Sequence, residues 1–291
     1  MNWIETNLIN RKKDPNIDFQ ININKSKFER ISFDQAANNT INQIVSSTTK
    51  NIFVAFSGGY DSEFIVRRLH SLKIDFTPII VQTETGLGSE RDYAYKTLRD
   101  LKIDAKILKL SNKEYVKLYH EKIIKELNGF IWPSADLYAC EYAKTENGII
   151  INGFHIGGFN GIPLEAHYMD MENKVLESMK NNHSLMREQK YFLKEDMFYS
   201  SMLYQDLPAH SLFLHNPQII LSMIDEVRDT DLTWGDYKER VYRLSYRPKI
   251  REKFDEKMLF VLNKIKDSLY KPNNIVYFDT KEQLIDLILE K

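Results

Sequence analysis

"IFVAFSGGYDSEFIVRRL", residues 52 to 69, sets an apolar strand against an amphipathic helix with two glycines between them. The run Ile52 to Phe56 is short and continuous, as a strand buried on both faces would be. The helix pattern then starts with little room for a connecting loop. In open α/β sheets, ligands sit beyond the carboxyl ends of strands, where loops pass into helix N-termini, and "SGGYDS" occupies that place. Gly58 and Gly59 are expected to turn the backbone with positive φ and to let it approach a ligand closely. A helix beginning near Asp61 would add unpaired N–H groups and the positive end of its dipole. Such a nest suits an anion, most naturally phosphate, with hydroxyl donors from Ser57 and Ser62. Asp61 is the odd member. A carboxylate beside phosphate repels it, unless it caps the helix or shares a metal ion with the anion. An ordinary capped turn is the competing reading, because Ser, Gly and Asp are common turn residues.

Outward from this turn, strands and helices alternate. Asp34 is placed to cap a helix over "QAANNTINQIV", and "FTPIIVQT" supplies a second buried strand after "SEFIVRRLHSL". Ser89 would cap "ERDYAYKTLRDL", followed by the strand "AKILKL", helices over "KEYVKLYHEKIIKEL" and "SADLYACEYAKTE", and the strand "GIIIN". This rhythm predicts a doubly wound parallel sheet covered on both faces, an α/β fold. The alternation in "IDFQININ" predicts a short strand or edge hairpin ahead of it. Past residue 165, helical periodicity dominates, most apolar in "HSLFLHNPQIILSMI" and "KMLFVLNKIKDSL". Three parts are expected: an N-terminal extension over 1–33, a nucleotide-binding α/β domain over 34–165, and a helical C-terminal portion over 166–291 packed on it.

The chain has 291 residues, 43% hydrophobic and 28% charged, which is enough apolar surface to offset chain entropy. With 40 basic and 41 acidic residues the global field is near neutral, so nucleic-acid contact would need a local basic patch. The single cysteine, Cys140, excludes an intramolecular disulfide and a Cys-based zinc site and reads as core. No apolar run approaches the ~20 residues of a membrane span. With no basic-then-apolar leader after Met1, a cytoplasmic protein is expected.

Two familiar phosphate loops lack parts here. No Lys-Ser/Thr pair closes a Walker loop, and no third glycine completes a dinucleotide fingerprint. "SGGYDS" is similar to the SGGxDS signature of the PP-loop ATP pyrophosphatases, the adenine nucleotide alpha-hydrolase-like superfamily. By that resemblance the loop, Ser57 to Ser62 with Tyr60 included, grips the pyrophosphate of ATP with Mg2+ held at Asp61, while a substrate oxygen attacks the α-phosphorus.

The layout further along resembles the asparagine synthetase C-terminal domain. "TETGLGSERDYAYKTLRDLKIDAKILKL" looks like its second βα unit, which implies that backbone around Val81 and Gln82 meets the adenine, with Thr83 and Glu84 nearby. "NGFHIGGFNGIP" is similar to its second glycine-rich loop, through Asn152, Gly153, Gly157, Gly158 and Gly161. The acidic pair of that loop is absent, and His155 stands there instead, a candidate acid, base or phosphate donor. "AHSLFLHNPQIILSM" resembles the Arg-x-Pro-Phe-x-Asp stretch of the family in hydrophobic rhythm, with His210 near the position of the Arg. The basic, tyrosine-rich "YKERVYRLSYRPKIREKF" offers Arg247 and Lys249, spaced by Pro248, as phosphate contacts, with a solvated helix face as the default.

The resemblance implies an adenylating enzyme with ATP and Mg2+ as cofactors, Asp61 and His155 as catalytic candidates, and an unknown small-molecule or nucleoside acceptor. The 33 residues before the fold hold no glutaminase, so free ammonia, an amine or an ammonia-supplying partner would serve as nucleophile. The lack of a cysteine pair argues against persulfide-relay sulfur transfer. Two other readings stay open: modification of a nucleic acid or nucleoside, and nucleotide binding without turnover.

Overall fold

The computed structural model describes residues 4–6, 21–24, 27–83, 91–118, 134–153, 157–158, 191–194, 209–226, 275–278, 283 and 286. Its centre is a five-stranded, all-parallel sheet flanked by helices, a doubly wound α/β fold. The strands are β3 (Asn51–Ala55), β4 (Thr77–Thr83), β5 (Lys106–Leu110), β6 (Gly148–Asn152) and β9 (Ala209–Ser211), in the order β5-β4-β3-β6-β9. The helices are α1 (Phe33–Ser46), α2 (Tyr60–Ser71), α3 (Arg91–Leu101), α4 (Asn112–Leu118), α5 (Ser134–Thr145), α6 (Leu212–His215) and α7 (Pro217–Glu226). Two smaller sheets complete the described residues. Strands β1 (Ile4–Thr6) and β2 (Ile21–Ile23) form an antiparallel pair, while β7 (Gly157–Gly158), β8 (Tyr191–Lys194) and β10 (Ile275–Phe278) form a three-stranded antiparallel sheet.

The two-residue period of the strands sorts the core onto the two faces of the sheet. Ile52, Val54, Ile80, Ile149 and Ile151 belong to one cluster with Ala37, Ile41 and Ile44 of α1, Ile65, Val66 and Leu69 of α2, Leu98 of α3, Leu212 and Ile219. Phe53, Ile79, Leu108 and Ile150 point the other way and meet Ala139, Cys140 and Ala143 of α5. Helices on both faces explain why β6 reads as an unbroken apolar run, since all of its residues are buried. Cys140 is in that core, as expected.

The strand order reverses between β3 and β6, because the chain goes from β3 outward through β4 to β5 and then returns to the far side of β3. That reversal opens a crevice at the carboxyl end of the sheet.

Three expectations change. The cap of α1 is Ser32, not Asp34: the Ser32 hydroxyl accepts the Gln35 N–H, and the Gln35 side chain accepts the Ser32 N–H, both at 3.2 Å. A Ser with Gln three residues on forms this reciprocal box, whereas Asp34 would have Ala37 at the matching position. Asp34 lies in the first turn and pairs with Arg68. The C-terminal portion is also not purely helical, since β9 completes the main sheet and β8 and β10 lie in the antiparallel one. "HSLFLHNPQIILSMI" divides into the end of β9, α6, a break at Asn216 and α7. A strand of three residues is too short to show a period of two against helical neighbours. Ser89, residues 119–127 of the predicted helix, and "KMLFVLNKIKDSL" lie outside the described residues.

Candidate functional site

The loop from Ser57 to Gly59 leaves β3 at the crevice. Gly58 is buried with φ 87°, a conformation that disfavours any side chain. Gly59 was expected to share that turn and does not. Its φ of −71° and ψ of 162° are extended, and it serves as the N-cap of α2 with no side chain to close the helix end. The helix starts at Tyr60, one residue earlier than expected, and its first backbone bond runs from the Glu63 N–H to the Gly59 carbonyl at 2.9 Å.

Both loop hydroxyls are engaged within the loop. The Ser57 hydroxyl oxygen accepts the Gly59 N–H at 3.1 Å, and the buried Ser62 hydroxyl donates to the Gly59 carbonyl at 2.9 Å. The two hydroxyl oxygens are 3.2 Å apart, so Ser57 donates to Ser62. These bonds set the shape of the loop, and no N-cap side chain closes the backbone N–H groups of the first turn of α2. Glu63, also buried, is neutralised by Arg67, whose Nε donates to its carboxylate at 2.7 Å.

The end of β6 closes the other side. Asn152 is buried, and Gly153 follows it so tightly against α2 that a β-carbon there would fall 2.6 Å from Asp61 Cβ and 3.3 Å from its carbonyl carbon. The second glycine-rich segment thus touches the first loop at Asp61, which is half-buried on the first turn of α2. Gly157 and Gly158 continue into β7.

Val81 and Gln82 lie at the end of β4, both half-buried. Val81 packs with the Phe53 cluster on one face. Gln82 lies on the opposite face and donates from Nε2 to the Tyr95 hydroxyl of α3 at 2.5 Å. Tyr95 had no expected role. It sits on the stripe of α3 that carries Ala94 and Leu98 into the core, and a polar-tipped aromatic on such a stripe was the available signal.

His210 and His215, on β9 and α6, are half-buried with ring centroids 5.7 Å apart in an edge-to-face arrangement. Burial lowers the pKa of both, and for His215 the neighbouring His210 adds to the effect. His210 pairs in register with Ile151, so it shares the sheet face of α2. His155, Glu84, Arg247 and Lys249, together with the Tyr60 side chain, lie outside the described residues.

An open depression lined by His70, Lys73, Ile74, Asp75, Phe76 and Ile103 lies at the C-terminal end of α2, on the opposite edge of the sheet from the loop. Among the described residues no helix is long and apolar enough to cross a membrane.

No family model matches the chain, and no curated protein does. Solved structures similar to it include the NH3-dependent NAD synthetase from Campylobacter jejuni, with 11% identity over 81% of this chain and 94% of that one, at a TM-score of 0.33. NMN synthetase from Francisella tularensis shows 14% identity over 84% and 100% of the two chains, also at 0.33. U34-tRNA thiolase from Methanococcus maripaludis shows 12% identity over 81% and 77%, again at 0.33. Overlap at that level is loose, and nothing about activity follows from it.

Proposed function

We propose that the chain is a PP-loop adenylating enzyme, which cleaves ATP to AMP and pyrophosphate to activate a substrate oxygen for amide or amine ligation. The observation that carries this reading is the Ser57–Ser62 loop at the crevice, with Gly58 at φ 87° and the N-terminus of α2 uncapped by any N-cap side chain. In this reading the Gly58 backbone and the first turn of α2 hold the β- and γ-phosphates, with Gly59 shaping the turn between them. Val81 and Gln82 meet the base. Arg247, Lys249 and His155 are further proposed contacts.

Mg2+ fits the loop through Asp61. Among the described residues no group of three His, Cys, Asp or Glu comes together, so its other ligands would be phosphate oxygens and water, a usual arrangement for this ion. When bound, it offsets negative charge on the departing pyrophosphate. The contribution of the chain is orientation and preorganised donors. A substrate oxygen forms its bond to the α-phosphorus as the bond to the bridging oxygen of pyrophosphate breaks. Ammonia, free or delivered by a partner, or an amine then displaces AMP, which leaves with the activated oxygen.

The test incubates the full chain with ATP, Mg2+, ammonium and a panel of carboxylate, amide and nucleoside acceptors. AMP and pyrophosphate in equal amounts are expected. ADP and phosphate as the only products would overturn the proposal.

A further inference from the structure

The first turn of α2 carries two carboxylates, Asp61 and Glu63, at the helix end that would face pyrophosphate. Acids there suit the helix by itself, since they meet the positive end of its dipole. They do not suit a polyphosphate. An anion entering the same field is repelled by them, and the Glu63 side chain is only 11% exposed, so solvent does little to soften its share. In the proposed reading Asp61 is offset by Mg2+, which arrives with the nucleotide. Glu63 has its counter-charge built into the fold. Arg67, one turn further along α2, places Nε 2.7 Å from Glu63 Oε1, while its Nη2 lies 3.7 Å from Asp100 Oδ2 on α3. Asp100 is exposed, so Glu63 is both the nearer and the less screened of the two carboxylates. The next cation along the helix, Arg68, is paired with Asp34.

We propose that Arg67 is a positioning residue for the phosphate site, acting through Glu63: its guanidinium cancels the Glu63 carboxylate and so keeps the N-terminus of α2 positive enough to hold pyrophosphate. This rests on the nucleotide reading above and goes beyond it, to the charge balance that lets an acidic helix start receive an anion. At an effective dielectric constant of about 20, a unit charge roughly 10 Å from a singly charged ligand group is worth about a ten- to twentyfold change in affinity. The competing account is mechanical, with the ion pair bracing the first two turns of α2. The two accounts differ in sign. A brace is broken equally from either end, whereas removing the acid and removing the base change the field at the helix start in opposite directions.

The experiment titrates the full chain with pyrophosphate and Mg2+ at pH 8, by calorimetry, in about 20 mM and about 0.5 M salt. At the lower salt Arg67→Gln should bind pyrophosphate about tenfold more weakly than wild type, and Glu63→Gln severalfold more tightly. The double variant Glu63→Gln, Arg67→Gln and the conservative Arg67→Lys should both return close to wild type. Each difference should shrink at the higher salt, as a change in field does and a mechanical change does not. Should Arg67→Gln fail to fold, the sign of the Glu63→Gln change still decides between the two accounts. Weaker or unchanged binding by Glu63→Gln, wild-type affinity in a folded Arg67→Gln, or a double variant as weak as Arg67→Gln would overturn the inference and leave the proposed function standing. A wild type that binds neither pyrophosphate nor ATP would overturn the proposed function, and this inference with it.

Discussion

Replacing Gly153 by alanine tests whether the end of β6 holds the phosphate loop in place. The Gly153 backbone lies outside the left-handed region, so alanine meets no conformational penalty and the effect is steric. The new methyl would sit 2.6 Å from Asp61 Cβ, 3.3 Å from the Asp61 carbonyl carbon and 3.5 Å from the Ser62 nitrogen. The first of these is about 0.8 Å short of ordinary contact, and the atoms in the way are the β-carbon and main chain of a helix, which cannot swing aside. Either α2 or the end of β6 must move by a large part of an ångström. Overpacking of this kind costs about 1–3 kcal/mol. At roughly 2–4 °C per kcal/mol for a chain this long, a cost of about 2 kcal/mol would lower the melting temperature by about 4–8 °C. In the proposed reading, displacement of the first turn of α2 would stretch the hydrogen bonds it gives a phosphate; for a catalytic arrangement, misplacement by about 1 Å can cost up to a hundredfold in rate. Calorimetric titration with pyrophosphate and Mg2+ should therefore show affinity at least tenfold lower. Gly148→Ala is the control. Its methyl would fall 2.3 Å from Phe53 Cε2 and 3.0 Å from the Asn51 carbonyl oxygen, at the start of β6, on the edge of the sheet away from the loop. It should destabilise at least as much without changing pyrophosphate affinity below its melting point. If Gly153→Ala loses stability in the same way but binds pyrophosphate as wild type does, α2 is not the phosphate cradle.

Gly58→Ala should cost about 1–2 kcal/mol, because φ 87° forces an L-residue toward the left-handed region, and should weaken pyrophosphate binding in the same titration. Ser32→Ala removes half of the capping box of α1 and should cost about 1 kcal/mol in chemical denaturation, with no effect on nucleotide affinity. Burial holds the folded-state pKa values of His210 and His215 below the ordinary 6.5, so the unfolded chain binds more protons and stability contributed by the pair is lost as pH falls below about 6.5. The double variant His210→Gln, His215→Gln should show a flatter melting temperature between pH 7.5 and 5.5, and ATP affinity should stay as in wild type, since β4 and β9 lie on opposite sides of the β3–β6 pair. A fragment of residues 34–165 should fail to give a cooperative melt, because it bares the β6 edge and removes Leu212 and Ile219 from the core; a cooperative melt would establish that segment as an independent domain.

What the sequence made readable follows from how many residues share each signal. β3, β4 and β6 are largely apolar runs of five to seven residues, β5 sets two lysines among Ile and Leu, and all four, next to periodic helices, appeared within a residue or so of their expected ends. The place of "SGGYDS" was readable for the same reason, since it needs only a strand before it and a helix after it. Its internal geometry was not. Both glycines permit positive φ, and composition does not say which uses it; Gly59 became a helix cap and only Gly58 turned. β9 was hidden because three residues carry no period, and it joins the sheet through partners in β6 more than fifty residues earlier. The same non-locality hid the Gln82 to Tyr95 bond and the approach of Gly153 to Asp61. Each depends on the packing of one element on another rather than on any local pattern.

The division of the crevice follows from where α2 begins. Its N-terminus stands at the reversal of strand order, with β4 on one side of β3 and β6 on the other. In the proposed reading, a triphosphate seated there with its base at the end of β4 occupies the β4 side, and the attacking substrate oxygen would reach the α-phosphorus opposite the departing pyrophosphate, from the side the nucleotide leaves open. That side is bounded by Asn152, Gly153 and, across the β6–β9 register, Ser211 and His210. Asn152 is buried and Gly153 has no room for a side chain, so neither can vary much without moving α2. His210 is half-buried and tolerates change more readily. Acceptor selection would therefore fall to β9 and the segments that follow it, and nucleotide selection to β4, with the glycine loop fixed between them.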